Sequence, residues 1–183
     1  AALAAAVEIK DPQTAGHQRR VAQLAVAIAR EMDFSLNRLE GIRVAGLLHD
    51  IGKIAIPIEI LNKPGGLSHL EAEFIKSHCQ VGFDLLKKID FPWPVLEAIL
   101  QHHERLDGSG YPAGLTDKDI ILEARILAVA DVIEAMISPR SYGPAQGIDQ
   151  ALEEIDQKSG ILYDPEVVDI CLKLFVEQGF SFN

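Results

Sequence analysis

Val44-Ala45-Gly46-Leu47-Leu48-His49-Asp50-Ile51-Gly52-Lys53 is an apolar run that stops on a histidine and an aspartate and then resumes with isoleucine. Upstream, Leu39 and Ile42 extend the same stripe at helical spacing, so the pair closes a helix that faces a core. A lone carboxylate in such a place is strongly unfavourable unless it is paired, protonated or on a metal. Adjacent helix residues point about 100° apart. A vicinal pair therefore does not grip one face together as histidines four apart would. It straddles two ions, or reaches an ion from a helix end.

The pattern recurs. His102-His103 ends the apolar helix Val95-Leu96-Glu97-Ala98-Ile99-Leu100, and Asp131 interrupts Ala124-Arg125-Ile126-Leu127-Ala128-Val129-Ala130. His17 opens a further stripe through Val21, Leu24, Ala25, Ile28 and Met32. Taken singly, each has an ordinary alternative: a histidine on an apolar helix is more often a core or surface residue, and Asp131 could pair with an arginine. Two vicinal pairs and one interrupting aspartate, all on apolar helices, shift the balance to a metal site. Neutral imidazole and carboxylate suit Fe, Mn, Zn or Ni, and the lack of thiolate ligands argues against a structural zinc site.

Around these positions the chain reads as helix throughout, with no strand alternation and no internal repeat. Helices are expected over 17–32, from a cap at Ser35 or Asn37 onward, and over 58–61 behind Pro57. Ser68 and Glu71 form a capping box that starts a helix to about Ile89. Further helices are expected over 95–104, 123–137 and 148–159, and from the Asp164-Pro165 cap to about Gln178. Residues 105–120, with Gly108, Gly110, Pro112 and Gly114, form a long loop of the kind that often carries function.

The 183 residues suit one domain, and 48% hydrophobic content is enough for a core. Ala1-Ala2-Leu3-Ala4-Ala5-Ala6 lacks an initiator Met and reads as the cut end of a longer helix, as in a domain from a larger protein. No apolar run reaches the roughly 20 residues of a membrane span. A net charge of -10 without a Lys/Arg block excludes a nucleic acid polymer as partner. Cys79 and Cys171 form no CxxC pair, which suits a reducing compartment such as the cytoplasm.

His49-Asp50-Ile51-Gly52-Lys53 resembles the signature of HD-domain phosphohydrolases. His102-His103-Glu104-Arg105-Leu106-Asp107-Gly108-Ser109-Gly110-Tyr111-Pro112 resembles the extended signature of the HD-GYP subgroup. The Lys-Pro-Gly turn at 63–65 and the 124–131 run fit as well, so the resemblance spans nearly the whole chain.

It implies an all-α bundle of about seven helices around a metal centre. It also implies hydrolysis of cyclic di-GMP, to the linear dinucleotide or GMP, by a hydroxide bridging two metals. By motif position the metal ligands are His17, His49, Asp50, His78, His102, His103 and Asp131, with Asp50 bridging. Spacing alone does not pick out His78. Cys79 is read as packing and His69 as a surface residue.

Lys53 and Arg140 are expected on phosphate, Glu134 on a guanine edge, and Tyr111 at the substrate. Two divalent ions, iron or manganese, are expected rather than three, because Gln13 stands where some members have a metal-binding Glu. Gly143 stands where members often have a basic residue, which leaves open a weak or inactive domain that senses cyclic di-GMP. A hydrolase of another nucleotide is a further alternative. The remaining expected partners are an N-terminal sensory or receiver domain, diguanylate cyclase domains through the Gly-Tyr-Pro loop, and a second copy in a homodimer.

Overall fold

The computed structural model describes residues 16–138, 145 and 147–182. Gln13, Arg140 and Gly143 lie outside them, as does the alanine-rich start. The helices are α1 (His17–Glu31), α2 (Leu36–Leu48), α3 (Ile58–Leu61), α4 (His69–Lys76), α5 (His78–Leu86), α6 (Val95–Gln101), α7 (Leu122–Ile137), α8 (Ile148–Gln157) and α9 (Pro165–Val176). A 3-10 helix, Ile51–Ala55, follows α2. Among the described residues the β-type pairings are isolated bridges, Asp107 with Thr116 and Ser159 with Tyr163. The fold is all-helical.

Local chemistry sets the helix starts. Ser35, not Asn37, caps α2, with Oγ accepting from Arg38 N. The Ser68–Glu71 capping box forms in both directions, and Lys63 Nζ grips the same Glu71 carboxylate at 2.7 Å. Asp164 caps α9 by accepting from Glu166 N and Val167 N, with Pro165 at the first position.

Several boundaries differ from expectation, most by one or two residues. The helix expected from Ser68 to Ile89 is two helices, because Ser77 Oγ donates to Phe74 O at 2.6 Å and Ser77 N turns to the same carbonyl. The helix expected to reach 104 ends at Gln101, where Glu104 N bonds back to Gln101 O and tightens the chain. The one expected to reach 159 ends at Gln157.

The core lies between α1, α2, α6 and α7, and α8 and α9 pack over α7. Leu24 and Ile28 of α1, Ile42 of α2, Ile99 of α6 and Ile126, Leu127 and Ile133 of α7 are wholly buried there. The 3-10 helix packs on α5, and α5 on α6. That brings the ends of α2, α5 and α6 to the start of α1 and the middle of α7. No helix among the described residues is long and apolar enough to cross a membrane.

Candidate metal centre

Four histidines are oriented through Nδ1, three of them by a backbone carbonyl three residues earlier. His49 Nδ1 donates to Gly46 O at 2.7 Å, His78 Nδ1 to Ile75 O at 2.7 Å, and His102 Nδ1 to Ile99 O at 2.6 Å. A carbonyl only accepts, so Nδ1 carries the proton and each Nε2 presents a lone pair inward. His17 uses a carboxylate instead: its Nδ1 hydrogen-bonds Glu134 Oε2. Glu134 is held in turn by Arg20 Nη2 at 2.6 Å and by Ser138 Oγ at 2.6 Å.

The Nε2 atoms converge on two aspartates. His17 Nε2 is 3.5 Å from Asp50 Oδ2 and 3.3 Å from Asp131 Oδ1. His49 Nε2 is 3.5 Å and 3.8 Å from the same two atoms. His78 Nε2 lies 3.4 Å from the other Asp50 oxygen, Oδ1. Asp50 thus has histidines on both sides. His102 Nε2 is 3.4 Å from His78 Nε2, and the His103 ring sits 4.1 Å from that of His102 and 5.1 Å from that of His78. Two groups result, His17-His49-Asp50 and His78-Cys79-His102-His103, each with its donor atoms within 4.8 Å of one another.

These groups fit metal ions on chemical grounds. The His78 and His102 Nε2 lone pairs face each other across 3.4 Å, and neither nitrogen has a proton to offer the other. His49 Nε2 is buried without a hydrogen-bond partner. A cation between such atoms removes both penalties.

The charge states agree. Burial, against weaker opposing influences, pushes His49 and His78 down, His102 far down and His103 to about 3, so these imidazoles are neutral. Burial works against the ionised carboxylates, yet Lys53 and His49 hold Asp50 well below the usual range, and His17 does the same for Asp131. His17 is the exception. Burial would lower it, but hydrogen bonds to Asp131, Asp50 and Glu134 raise it to about 10. Neutral imidazole and ionised carboxylate are the forms that ligate divalent ions.

Exposure marks the way in. His17, His49, Asp50, His78 and His102 are buried, whereas His103, Asp131, Lys53 and Tyr111 are half-buried and form a mouth. Lys53 Nζ reaches Asp50 Oδ2 at 2.6 Å. Tyr111 stacks on His103, rings 4.7 Å apart and 25° from parallel.

The Gly-Tyr-Pro loop is fastened there by Glu104, which is 2% exposed and accepts from Ala113 N at 2.7 Å and Leu115 N at 2.9 Å. Gly110 lets the loop close on this strut, since a Cβ there would lie 2.4 Å from Glu104 Cα. Sequence reasoning passed over Glu104. The available signal was an acid set between the histidine pair and a glycine-rich loop full of unpaired amides.

Glu134, expected on a guanine edge, shares a helix face with Asp131, as its spacing requires, and is wholly buried with its carboxylate taken up by His17, Arg20 and Ser138. It orients the imidazole of His17. Cys79, read as packing, is buried with Sγ 3.6 Å from His78 Nε2. Both cysteines are free thiols. Arg140 lies outside the described residues.

A helical bundle that gathers neutral imidazoles around two ionised aspartates belongs to the class of metal-centred helical domains. The family model described as HD domain matches residues 1–167, and the chain belongs to that family, carrying the HD-GYP signature. It is 46% identical over 169 residues to a cyclic di-GMP phosphodiesterase of Thermotoga maritima, covering 91% of this chain and 46% of that protein. It is 38% identical over 161 residues to a 3'3'-cGAMP-specific phosphodiesterase of Vibrio cholerae, covering 87% of this chain and 35% of that protein. The chain therefore spans less than half the length of either relative. A solved cyclic GMP-AMP-specific phosphodiesterase structure from Vibrio cholerae shares the fold, with a TM-score of 0.72 at 21% identity over 96% of this chain and 47% of that one.

Proposed function

We propose that this chain is a metal-dependent phosphodiesterase domain that hydrolyses cyclic di-GMP to the linear dinucleotide or GMP. The observation that carries the reading is Asp50, whose two oxygens face histidines of separate groups and so suit a carboxylate shared by two ions. One ion is assigned to His17, His49, Asp50 and Asp131, and the other to Asp50, His78, His102 and His103. Iron or manganese is the proposed metal. With Gln13 offering no charge, a third ion is not part of the proposal.

Divalent ions in such a pair lower the pKa of water and offset charge on a phosphoryl group. The protein's own part is placement. Asp50 and Lys53 are the proposed catalytic residues: Lys53 stands at the mouth and offers its ammonium to the scissile phosphate. The Tyr111 face, fixed on His103, supports a base or ribose. Arg140 is assigned to the second phosphate, for which a guanidinium fork is suited. The same reading puts the domain in the cytoplasm, behind a sensory or receiver domain. The Gly-Tyr-Pro loop is then open to diguanylate cyclase domains, and the chain to pairing with a second copy.

Cyclic di-GMP is chosen over 3'3'-cGAMP because the more similar of the two relatives described acts on it. The test is parallel turnover of both nucleotides by the chain loaded with Fe(II) or Mn(II), with products resolved by chromatography. Faster loss of cyclic di-GMP is expected. Preference for 3'3'-cGAMP would overturn the substrate assignment, and tight binding without product would mark a sensor rather than an enzyme.

A further inference from the structure

Cys79 stands beside His78 at the start of α5 and is 0% exposed. Its sulfur belongs to the same donor group as His78, His102 and His103, every ligand atom within 4.8 Å of the others. The separations have a scale to be judged against. For a five-coordinate ion with nitrogen at 2.0–2.1 Å, sulfur at 2.3 Å and neighbouring ligands about 90–120° apart, ligand nitrogens lie about 2.9–3.6 Å apart and nitrogen and sulfur about 3.1–3.8 Å apart. His78 Nε2 is 3.4 Å from His102 Nε2 and 3.6 Å from Cys79 Sγ.

A competing account makes the thiol a weak hydrogen-bond donor to His78 Nε2. That lone pair, however, is the one directed at the ion. Once it is taken, the S–H loses its acceptor and the sulfur is left facing a cation.

We infer that Cys79 is a thiolate ligand of the ion held by His78, His102 and His103, and that it biases this pocket toward Fe(II), Co(II) or Zn(II) over Mn(II) or Mg(II). The inference rests on the two-ion reading above and narrows its choice of metal. Binding replaces the S–H bond with a metal–sulfur bond and releases the proton to solvent, with no change of oxidation state. Soft sulfur favours the more polarisable ions, whereas carboxylate and water suit the harder ones.

The test is Co(II) titration of the chelator-stripped chain, followed by visible and near-ultraviolet absorption. The sequence has only two cysteines, and Cys171 sits in the apolar core on α9, so a sulfur-to-cobalt charge-transfer band has one source in the site. The band is expected in the parent and in Cys171→Ser, and absent from both Cys79→Ser and Cys79→Ala. The visible d–d bands should persist in those variants through the histidines and aspartates. Competition between Co(II) and Mn(II) should shift on the order of tenfold toward Mn(II) in Cys79→Ser. Visible cobalt bands without charge transfer, or a band that survives Cys79→Ser, would overturn the inference and leave the two-ion reading standing. Failure to bind cobalt at all would overturn both.

Discussion

Asp50→Ala is expected to lose metal and turnover together, while Leu48→Ala, on the helix just before it, is expected to lose only stability. Asp50 is 1% exposed and faces His17 and His49 with one oxygen and His78 with the other. Under the proposed assignment, removing it takes a ligand from each ion at once and leaves Lys53 Nζ without the carboxylate oxygen at 2.6 Å. Leu48 is 9% exposed and belongs to the core cluster. Truncating it leaves a cavity, at a cost of about 2–5 kcal/mol, but the folded molecules still bind metal. Elemental analysis of the folded fraction, with turnover measured on the same sample, checks both. Full metal content in Asp50→Ala would remove the shared carboxylate from the account.

Gly52→Ala is expected to be the most damaging single-methyl change in the chain. A Cβ at this position would lie 1.9 Å from His78 O and 2.7 Å from Gly82 N. Both are backbone atoms, so no rotamer can yield. The 3-10 helix and α5 must separate, and His78 moves with α5 away from Asp50. Overpacking of this kind typically costs about 1–3 kcal/mol, and a clash with backbone atoms of two residues of α5 places Gly52→Ala at or above the top of that range. Gly66→Ala is the control, since nothing lies within 4 Å of its would-be Cβ. Urea unfolding of the three proteins measures the difference. A Gly52→Ala midpoint equal to that of Gly66→Ala would show that the close approach is not a constraint.

That contact explains part of what the sequence did not disclose. Positions 69–89 have continuous apolar periodicity and no glycine or proline before Gly82, so they read as one helix. The break at Ser77 depends on a side-chain bond to Phe74 O and on where the 3-10 helix docks, and neither has a signal in local pattern. The other helices were legible because their caps are chemical: Ser35, Ser68 and Asp164 each satisfy amides the helix leaves open.

The site was legible to a similar depth. Asp50 and Asp131 betrayed themselves as charges inside apolar runs, and His102-His103 as a polar stop on one. His78 has no such mark, and only the family resemblance singled it out. Glu134 was placed on the right helix face, but its role depended on which residue came opposite. That residue is His17, 117 positions away, and its imidazole claims the carboxylate. Cys79 looked like packing because a buried cysteine usually is. Only its sulfur's place within 4.8 Å of donor atoms of His78, His102 and His103 gives it another meaning.

The central claim is that two ions sharing Asp50 perform the hydrolysis. It is tested most directly by stepwise Fe(II) addition to chelator-stripped protein under anaerobic conditions, with cyclic di-GMP turnover read at each step. The account predicts no turnover without metal, little after the first equivalent, and full activity as the second is bound, with no further gain beyond it. Turnover by the metal-free protein, or full activity at one ion per chain, would contradict it.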